Sequence, residues 1–297
     1  MVMNNKLPKT KIDERTGIEY TLVGDYYIPN LTITKQEKII LNKYGRDKTI
    51  KIHQEHTYNV NLQYIKKLNY LQNINYIMPV SKSILLKYKD KITINMKYIP
   101  LTLDYYPNKS EISDLNNNNL ISIGRLENEK AMDELIYIMN GLTKNNKNVL
   151  LNIYGDGSNH QKLESLINEF KLEKNIKLWG FKPKKEIQDA LKQSTLYLMT
   201  SKEESFGLVL IEAMSFGVPC IAYSSAEGAK EIIKPNTGYL IDNRDRKEYI
   251  NQIENYLKYS IREKQEMGRN ARKNINTYKF DTVKREWIKF INNIIKN

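Results

Sequence analysis

The chain has 297 residues, 40% hydrophobic and 27% charged, enough for one large domain or two ordinary ones around a real core. No run approaches the roughly 20 apolar residues that span a bilayer, the opening MVMNNKLPKTKIDERTG is too polar for a signal peptide, and the single cysteine, Cys220, excludes a disulfide framework, so a cytoplasmic protein is expected. The net charge of +13 is mostly lysine scattered through a chain rich in Asn, Ile and Tyr; it reads as solvated faces, and nucleic acid is not expected as a partner.

Residues 1–70 differ in character from the rest of the chain. A polar lead gives way to GIEYTLVGDYYIPNLTI, with strand-like alternation, then to a basic, helix-compatible run and a strand-like touch at TYNVNL. His53 and His56 lie three apart in KIHQEHTYNV with no third ligand nearby, so they read as polar surface or packing. The phrases EYTLVGDYYIPNL, KYGR and TYN, within about residues 15–65, resemble transposon-encoded TnpV-type proteins, a resemblance that implies no enzymatic role.

From about residue 72, NINYIMPVSKSILLKYKDKITINMKYIPLTLD predicts a strand, a helix capped by Ser81, and a second strand closed by Pro100. Residues 105–119, YYPNKSEISDLNNNN, are a linker by composition. Residues 120–242 then alternate. The segments LISIG, VLLNIYG, NIKLWG, TLYLMT, VPCIAY and GYLI predict strands, with helices from about Met132, from Ser158, from about Lys184, behind Gly207, and a short one through Ile233. Continuous apolar strands separated by amphipathic helices predict a doubly wound parallel sheet, whose ligands bind beyond the carboxyl ends of the strands. Three further helices end the chain, the last with an apolar stripe of Trp287, Ile288, Phe290, Ile291, Ile294 and Ile295.

The stretch SKEESFGLVLIEAMSFGVPCIAY, residues 201–223, runs from a polar loop through an apolar helix into a buried strand. Gly207 lets backbone approach a ligand where a helix begins, and the free N–H groups and positive dipole end there favour an anion such as phosphate. Gly217 to Pro219 has a plain explanation as a helix stop, and Cys220 reads as core. Taken together, Glu204-Ser-Phe-Gly-Leu-Val-Leu-Ile-Glu212 and the following Gly217-Val-Pro219 resemble the signature of the family-four retaining glycosyltransferases of GT-B fold. Upstream, GRLENEK, residues 124–130, resembles that family's phosphate-binding phrase, with Ala131 where the family usually has glycine.

The resemblance covers about residues 72–297 and implies an α/β, GT-B-type architecture. It comprises a complete Rossmann-like donor domain at 119–297 and an incomplete N-terminal domain with linker at 71–118. It implies a metal-independent, retaining hexosyltransferase acting on a nucleotide-diphosphate sugar, of UDP type, in polysaccharide or glycoconjugate synthesis. Arg125 and Lys130 would meet the diphosphate, Glu204 the sugar hydroxyls and Glu212 the ribose, with Arg125, Lys130 and Glu204 as the catalytic set. Phe206, Gly207 and Leu208 would offer backbone N–H groups to the phosphates. Gly124, Gly155, Gly157, Trp179, Gly180 and Phe181 would shape the nucleotide pocket, although Gly155 to Gly157 is also an ordinary turn followed by a Ser158–Gln161 capping box. Glu227 and Glu231 read as surface charges at the site rim. No cofactor or metal is implied, and the acceptor is a glycan, a lipid-linked sugar or a protein. The basic residues Arg262, Lys264, Arg269, Arg272, Lys273, Lys284, Arg285 and Lys289 allow peripheral contact with an anionic membrane, at its inner face.

An alternative is a donor-binding chain with little or no transfer. Only roughly 40 residues read as N-terminal domain, against about 100 to 150 for a typical domain, and neither His53 nor His56 matches the family's N-terminal catalytic histidine.

Overall fold

Leu196–Met199 (β10) and Cys220–Tyr223 (β11) are buried at every position, a burden only a sheet covered on both faces can carry. The computed structural model describes residues 10–12, 19–23, 26–29, 52–56 and 75–296. It places these two strands in a six-stranded sheet with Asn119–Ile123 (β7), Leu150–Tyr154 (β8), Ile176–Leu178 (β9) and Gly238–Ile241 (β12), in the order β12-β11-β10-β7-β8-β9. All its pairings are parallel, as in Leu198 opposite Ile221 and Ser122 opposite Ile153. The order reverses between β7 and β10, the switch point at which doubly wound sheets open a crevice for ligands. The α/β, GT-B-type sheet expected from the sequence is the one the structure contains.

Alternate residues of the strands feed two cores. Tyr197, Met199, Cys220 and Ala222 face Leu208–Ser215 (α5), whose Leu210, Ile211 and Met214 are fully buried. Leu196, Leu198 and Ile221 face the other side, against Met132–Leu142 (α2), His160–Glu169 (α3) and Arg246–Lys258 (α7). Burying phenols in that second core leaves hydroxyls to satisfy. Tyr249 donates to Ile221 O at 3.0 Å and Tyr256 to Thr195 O at 2.7 Å.

A smaller parallel sheet joins Ile52–Glu55 (β4), Tyr76–Pro79 (β5) and Asn95–Met96 (β6), so its edge strand comes from upstream of residue 70. Lys82–Tyr88 (α1) follows β5, capped by Ser81, whose Oγ accepts from Ile84 N–H at 3.3 Å. The last helix, Phe280–Lys296 (α9), returns to this sheet, where Phe290 meets Tyr76 edge-on at 5.0 Å beside Met78, Ile99 and Val283. Thr10–Ile12, Glu19–Val23 and Tyr26–Pro29 form an antiparallel sheet, β1 to β3; β2 and β3 fall where the sequence showed alternation, and β1 lies in the polar lead, where no strand was expected. The remaining phrases of the TnpV resemblance, including KYGR and TYN, lie outside the described residues. His53 Nε2 sits 3.4 Å from Oε2 of the buried Glu55.

Three local expectations are corrected. The helix read from Ser158 begins at His160, because Glu127 captures Ser158 instead: Ser158 Oγ donates to Oε2 at 2.6 Å and its N–H to Oε1 at 3.0 Å. In α9, Trp287, Phe290 and Ile294 of the named stripe pack inward, while Ile288 and Ile291 are 47% and 41% exposed. Two of the basic residues read as membrane-facing are engaged by the fold: Lys264 is buried beneath the Tyr256 ring at 5.4 Å, and the half-buried Arg272 donates to the carbonyls of Ser215 and Pro107.

Candidate functional site

Beyond the carboxyl ends of β7 and β8, between the loop after β9 and the first turns of α5, lies a cavity of about 450 Å³, the size range of nucleotide and drug-sized ligand sites. Its walls include Gly124, Arg125, Gly155, Phe181, Leu208 and Glu212, six of the positions singled out from sequence. Their convergence depends on close loop packing. Gly155 has φ +133°, donates its N–H to Gly180 O at 2.9 Å, and stands where a Cβ would lie 1.9 Å from Gly124 O. A Cβ on Gly157 would lie 2.7 Å from Leu126 O, so that glycine serves loop packing and does not line the cavity.

Trp179 is likewise a support. It stacks on Tyr154 at 5.6 Å and 3°, donates from Nε1 to Asn152 Oδ1 at 2.8 Å, and has the Lys177 ammonium over its ring at 3.6 Å. The aromatics that reach the cavity are Tyr154 and Phe181, the latter 54% exposed.

Next to the cavity, residues from two loops 74 positions apart form an ion pair: Lys130 Nζ donates to Glu204 Oε2 at 2.8 Å, with side chains only 12% and 16% exposed. Lys130 reaches there past Gly124, whose added Cβ would be 3.9 Å from Lys130 Cδ. Arg125 lines the cavity and holds Glu129 through Nη2 to Oε1 at 2.5 Å. Ala131, in the position for which the family prefers glycine, has φ 47° and ψ 45°, left-handed backbone that turns the chain into α2.

Gly207 also adopts the left-handed region, φ 91° and ψ 51°, directly before α5. Among the described residues the amides of Phe206, Gly207 and Leu208 donate to no protein acceptor. The Phe206 ring is core, edge-on to Tyr278 at 5.5 Å, and of this stretch it is Leu208, not Phe206 or Gly207, that lines the cavity. One turn into α5, Glu212 faces the cavity, its carboxyl making no hydrogen bond or ion pair among the described residues. Burial raises its pKa to about 7; Asp104 adds to the rise and Lys184 opposes it.

Asp104, Lys182 and Lys184 also line this cavity, and Asp104 pairs with Lys184 across it. Sequence reasoning missed them. A signal was present at Lys184, the first residue of Lys184–Lys192 (α4), since a lysine at a helix start opposes the helix dipole. Asp104 carries no such signal. Glu231, read as a rim charge, instead bridges two parts of the fold, accepting from Tyr98 OH at 2.6 Å and from Lys82 N–H at 2.8 Å. Glu227 pairs with Lys230 at 2.7 Å on the surface. Among the described residues no three His, Cys, Asp or Glu side chains gather to hold a metal ion.

The family of glycosyl transferases group 1 matches residues 108–274, more than half of the chain, including the loops that carry Arg125, Lys130, Glu204 and Glu212 but not Asp104. This chain belongs to that family. The lipopolysaccharide 1,6-galactosyltransferase of Salmonella typhimurium is 34% identical over 117 residues, 38% of this chain and 32% of the relative. The poly(ribitol-phosphate) alpha-N-acetylglucosaminyltransferase of Staphylococcus aureus is 30% identical over 172 residues, 57% of this chain and 34% of the relative. The chain thus spans about a third of the length of both. Among solved structures, a variant of S. aureus TarM in complex with Fondaparinux, alpha-GlcNAc-glycerol and UDP superposes with a TM-score of 0.74 at 21% identity, over 94% of this chain and 63% of that one. At that identity the likeness is one of fold.

Proposed function

We propose that this protein transfers a hexosyl group from a UDP-sugar to a glycan-type acceptor, with retention and without a metal, and that residues 119–297 are its donor-binding domain. The observation that carries the reading is the Lys130–Glu204 pair beside a cavity lined by Arg125, by Leu208 at the start of α5 and by the unpartnered Glu212. The nucleoside would enter the cavity by Phe181, and Glu212 would accept both ribose hydroxyls, as a carboxylate suits a vicinal diol. The diphosphate would lie between the amides of Phe206, Gly207 and Leu208 and the cations Arg125 and Lys130. As the anomeric carbon–oxygen bond breaks, UDP departs with the electron pair, and those donors stabilise its growing charge without a metal. The acceptor oxygen then bonds to the anomeric carbon, and its proton leaves to the phosphate oxygen or solvent. Glu204, held by Lys130 before the donor arrives, would take the sugar hydroxyls as Lys130 turns to the phosphate.

The names of the two relatives and the UDP bound by the TarM variant support a hexose donor on UDP and an acceptor on a glycan or lipid-linked polymer. No described helix is long and apolar enough to cross a membrane. Exposed Phe280, Ile288 and Ile291 beside Lys284, Arg285 and Lys289 support peripheral contact with an anionic lipid surface. The TnpV-like first 70 residues are assigned no chemistry.

A second reading, donor binding without transfer, is favoured by one observation. Among the described residues, the sheet on the N-terminal side has strands of only four, four and two residues. Calorimetric titration with UDP-glucose and UDP-N-acetylglucosamine, followed by incubation with a panel of glycan and lipid-linked acceptors, separates the readings. Binding with product at an ordinary enzymatic rate supports the transferase, binding alone supports the second reading, and no binding refutes both.

A further inference from the structure

Two consecutive residues that carry a Cβ, Asn243 and Arg244, have φ of 53° and 52°, in the short turn between β12 and α7. Left-handed backbone is disfavoured for such residues and persists only where the surroundings hold it. What holds it here is the Arg244 guanidinium. Nη2 donates to Thr200 O at 3.0 Å, Nη1 donates to Ser201 O at 3.1 Å and to Ser225 Oγ at 3.2 Å, and the group lies over the Tyr223 ring at 4.4 Å.

Thr200 and Ser201 are where β10 ends and the loop bearing Glu204 begins. They are also tied to the opposing loop. Thr200 Oγ1 donates to Ala131 O at 3.0 Å and Lys130 O at 3.3 Å, and Lys202 N–H donates to Glu129 O at 2.8 Å. A continuous brace therefore runs from the Arg244 side chain, through the root of the Glu204 loop, to the backbone of Lys130. Arg244 itself does not line the nucleotide cavity.

We propose that Arg244 is a positioning residue for the loop that bears Glu204 and so governs recognition of the sugar on the donor, an inference that rests on the donor-site reading proposed for this cavity. One planar fork satisfies two successive carbonyls and a hydroxyl while lying flat on an aromatic face, a task the point charge of lysine does not match. For chain folding alone the better residue at a left-handed position is glycine, which adopts it without steric cost. The arginine earns its place through what its head group holds.

The test compares the full chain with Arg244→Gly, which frees the backbone and removes the fork, and Arg244→Lys, which keeps only the charge. Hydrogen exchange is followed in residues 200–207 without ligand, melting temperature is recorded, and affinities for UDP, UDP-glucose and UDP-N-acetylglucosamine are measured by calorimetry. For Arg244→Gly the expected result is a melting temperature close to the parent's and markedly faster exchange in 200–207. UDP affinity should stay within about twofold of the parent, while the ratio of UDP-sugar to UDP affinity falls about tenfold. Arg244→Lys should restore neither exchange nor ratio. Unchanged exchange overturns the proposal, as does an unchanged ratio in a parent that binds the sugars, or a collapse of melting temperature in both variants, which marks a folding role. A parent that binds no UDP-sugar refutes the donor-site reading and with it the sugar role, while the exchange result still decides whether Arg244 orders the loop.

Discussion

Replacing Glu212 by Gln should move stability and nucleotide binding in opposite directions. The Glu212 carboxyl faces the cavity without a partner of its own, and burial, aided by Asp104 and opposed by Lys184, carries its pKa from 4.5 to about 7. The native state therefore binds this proton more tightly than the unfolded chain does. Its contribution to stability is complete below about pH 4.5 and is lost as pH rises through about 7, because holding the carboxylate ionised there has a cost. That interval, at about 1.4 kcal/mol per pH unit, corresponds to on the order of 3 kcal/mol. Partial exposure of the side chain lowers the figure to about 1–2 kcal/mol. Gln has no such cost. Urea unfolding of Glu212→Gln should show a gain of about that size at pH 8 and little difference at pH 5. UDP affinity at pH 8 should fall about tenfold, since an amide cannot accept from both ribose hydroxyls as a carboxylate does. A gain of equal size at both pH values, or none at pH 8, would refute the idea of an ionised group held at a cost. Undiminished UDP affinity would refute the ribose assignment.

Four further outcomes are expected. Arg125→Ala combined with Lys130→Ala should abolish calorimetrically detectable UDP binding while leaving the circular dichroism spectrum unchanged, each lost charge-assisted contact costing about 1.5–3 kcal/mol. Glu204→Gln should weaken UDP-sugar about tenfold and UDP much less, so equal losses on both ligands would count against its place at the sugar. Ala131→Gly should leave stability unchanged or raise it by up to about 1 kcal/mol, because relief at φ 47° offsets the lost methyl; a loss above about 1 kcal/mol contradicts the strain argument. Gly155→Ala, whose Cβ would fall 1.9 Å from Gly124 O, should destabilise the chain by more than about 3 kcal/mol and lose UDP binding, both read in one thermal-shift experiment with and without UDP.

Much of this protein is written locally. The runs LISI, LYLM and CIAY, too short and too apolar for surface helices, already require a sheet buried on both faces, and the structure gives them that in β7, β10 and β11. Ser81 as a cap and Gly207 before a helix follow from backbone and side-chain chemistry that acts over three or four residues. Such preferences hold whatever the rest of the chain does. Tertiary structure alone decided which loops meet. The salt bridge of Lys130 with Glu204 exists because β7 and β10 are neighbours across the switch point, and no residue in either loop encodes that adjacency. The same holds for Ser158, where a capping box was legible but Glu127 from another loop is the stronger partner, and for Glu231, whose surface-like context conceals its bond to Tyr98. Glu212 is the sharpest case: its spacing from Glu204 is visible in the sequence, but its raised pKa comes from burial and from Asp104, 108 positions away in the chain. Electrostatics and desolvation act through space, so they become defined only when the fold has brought the charges together.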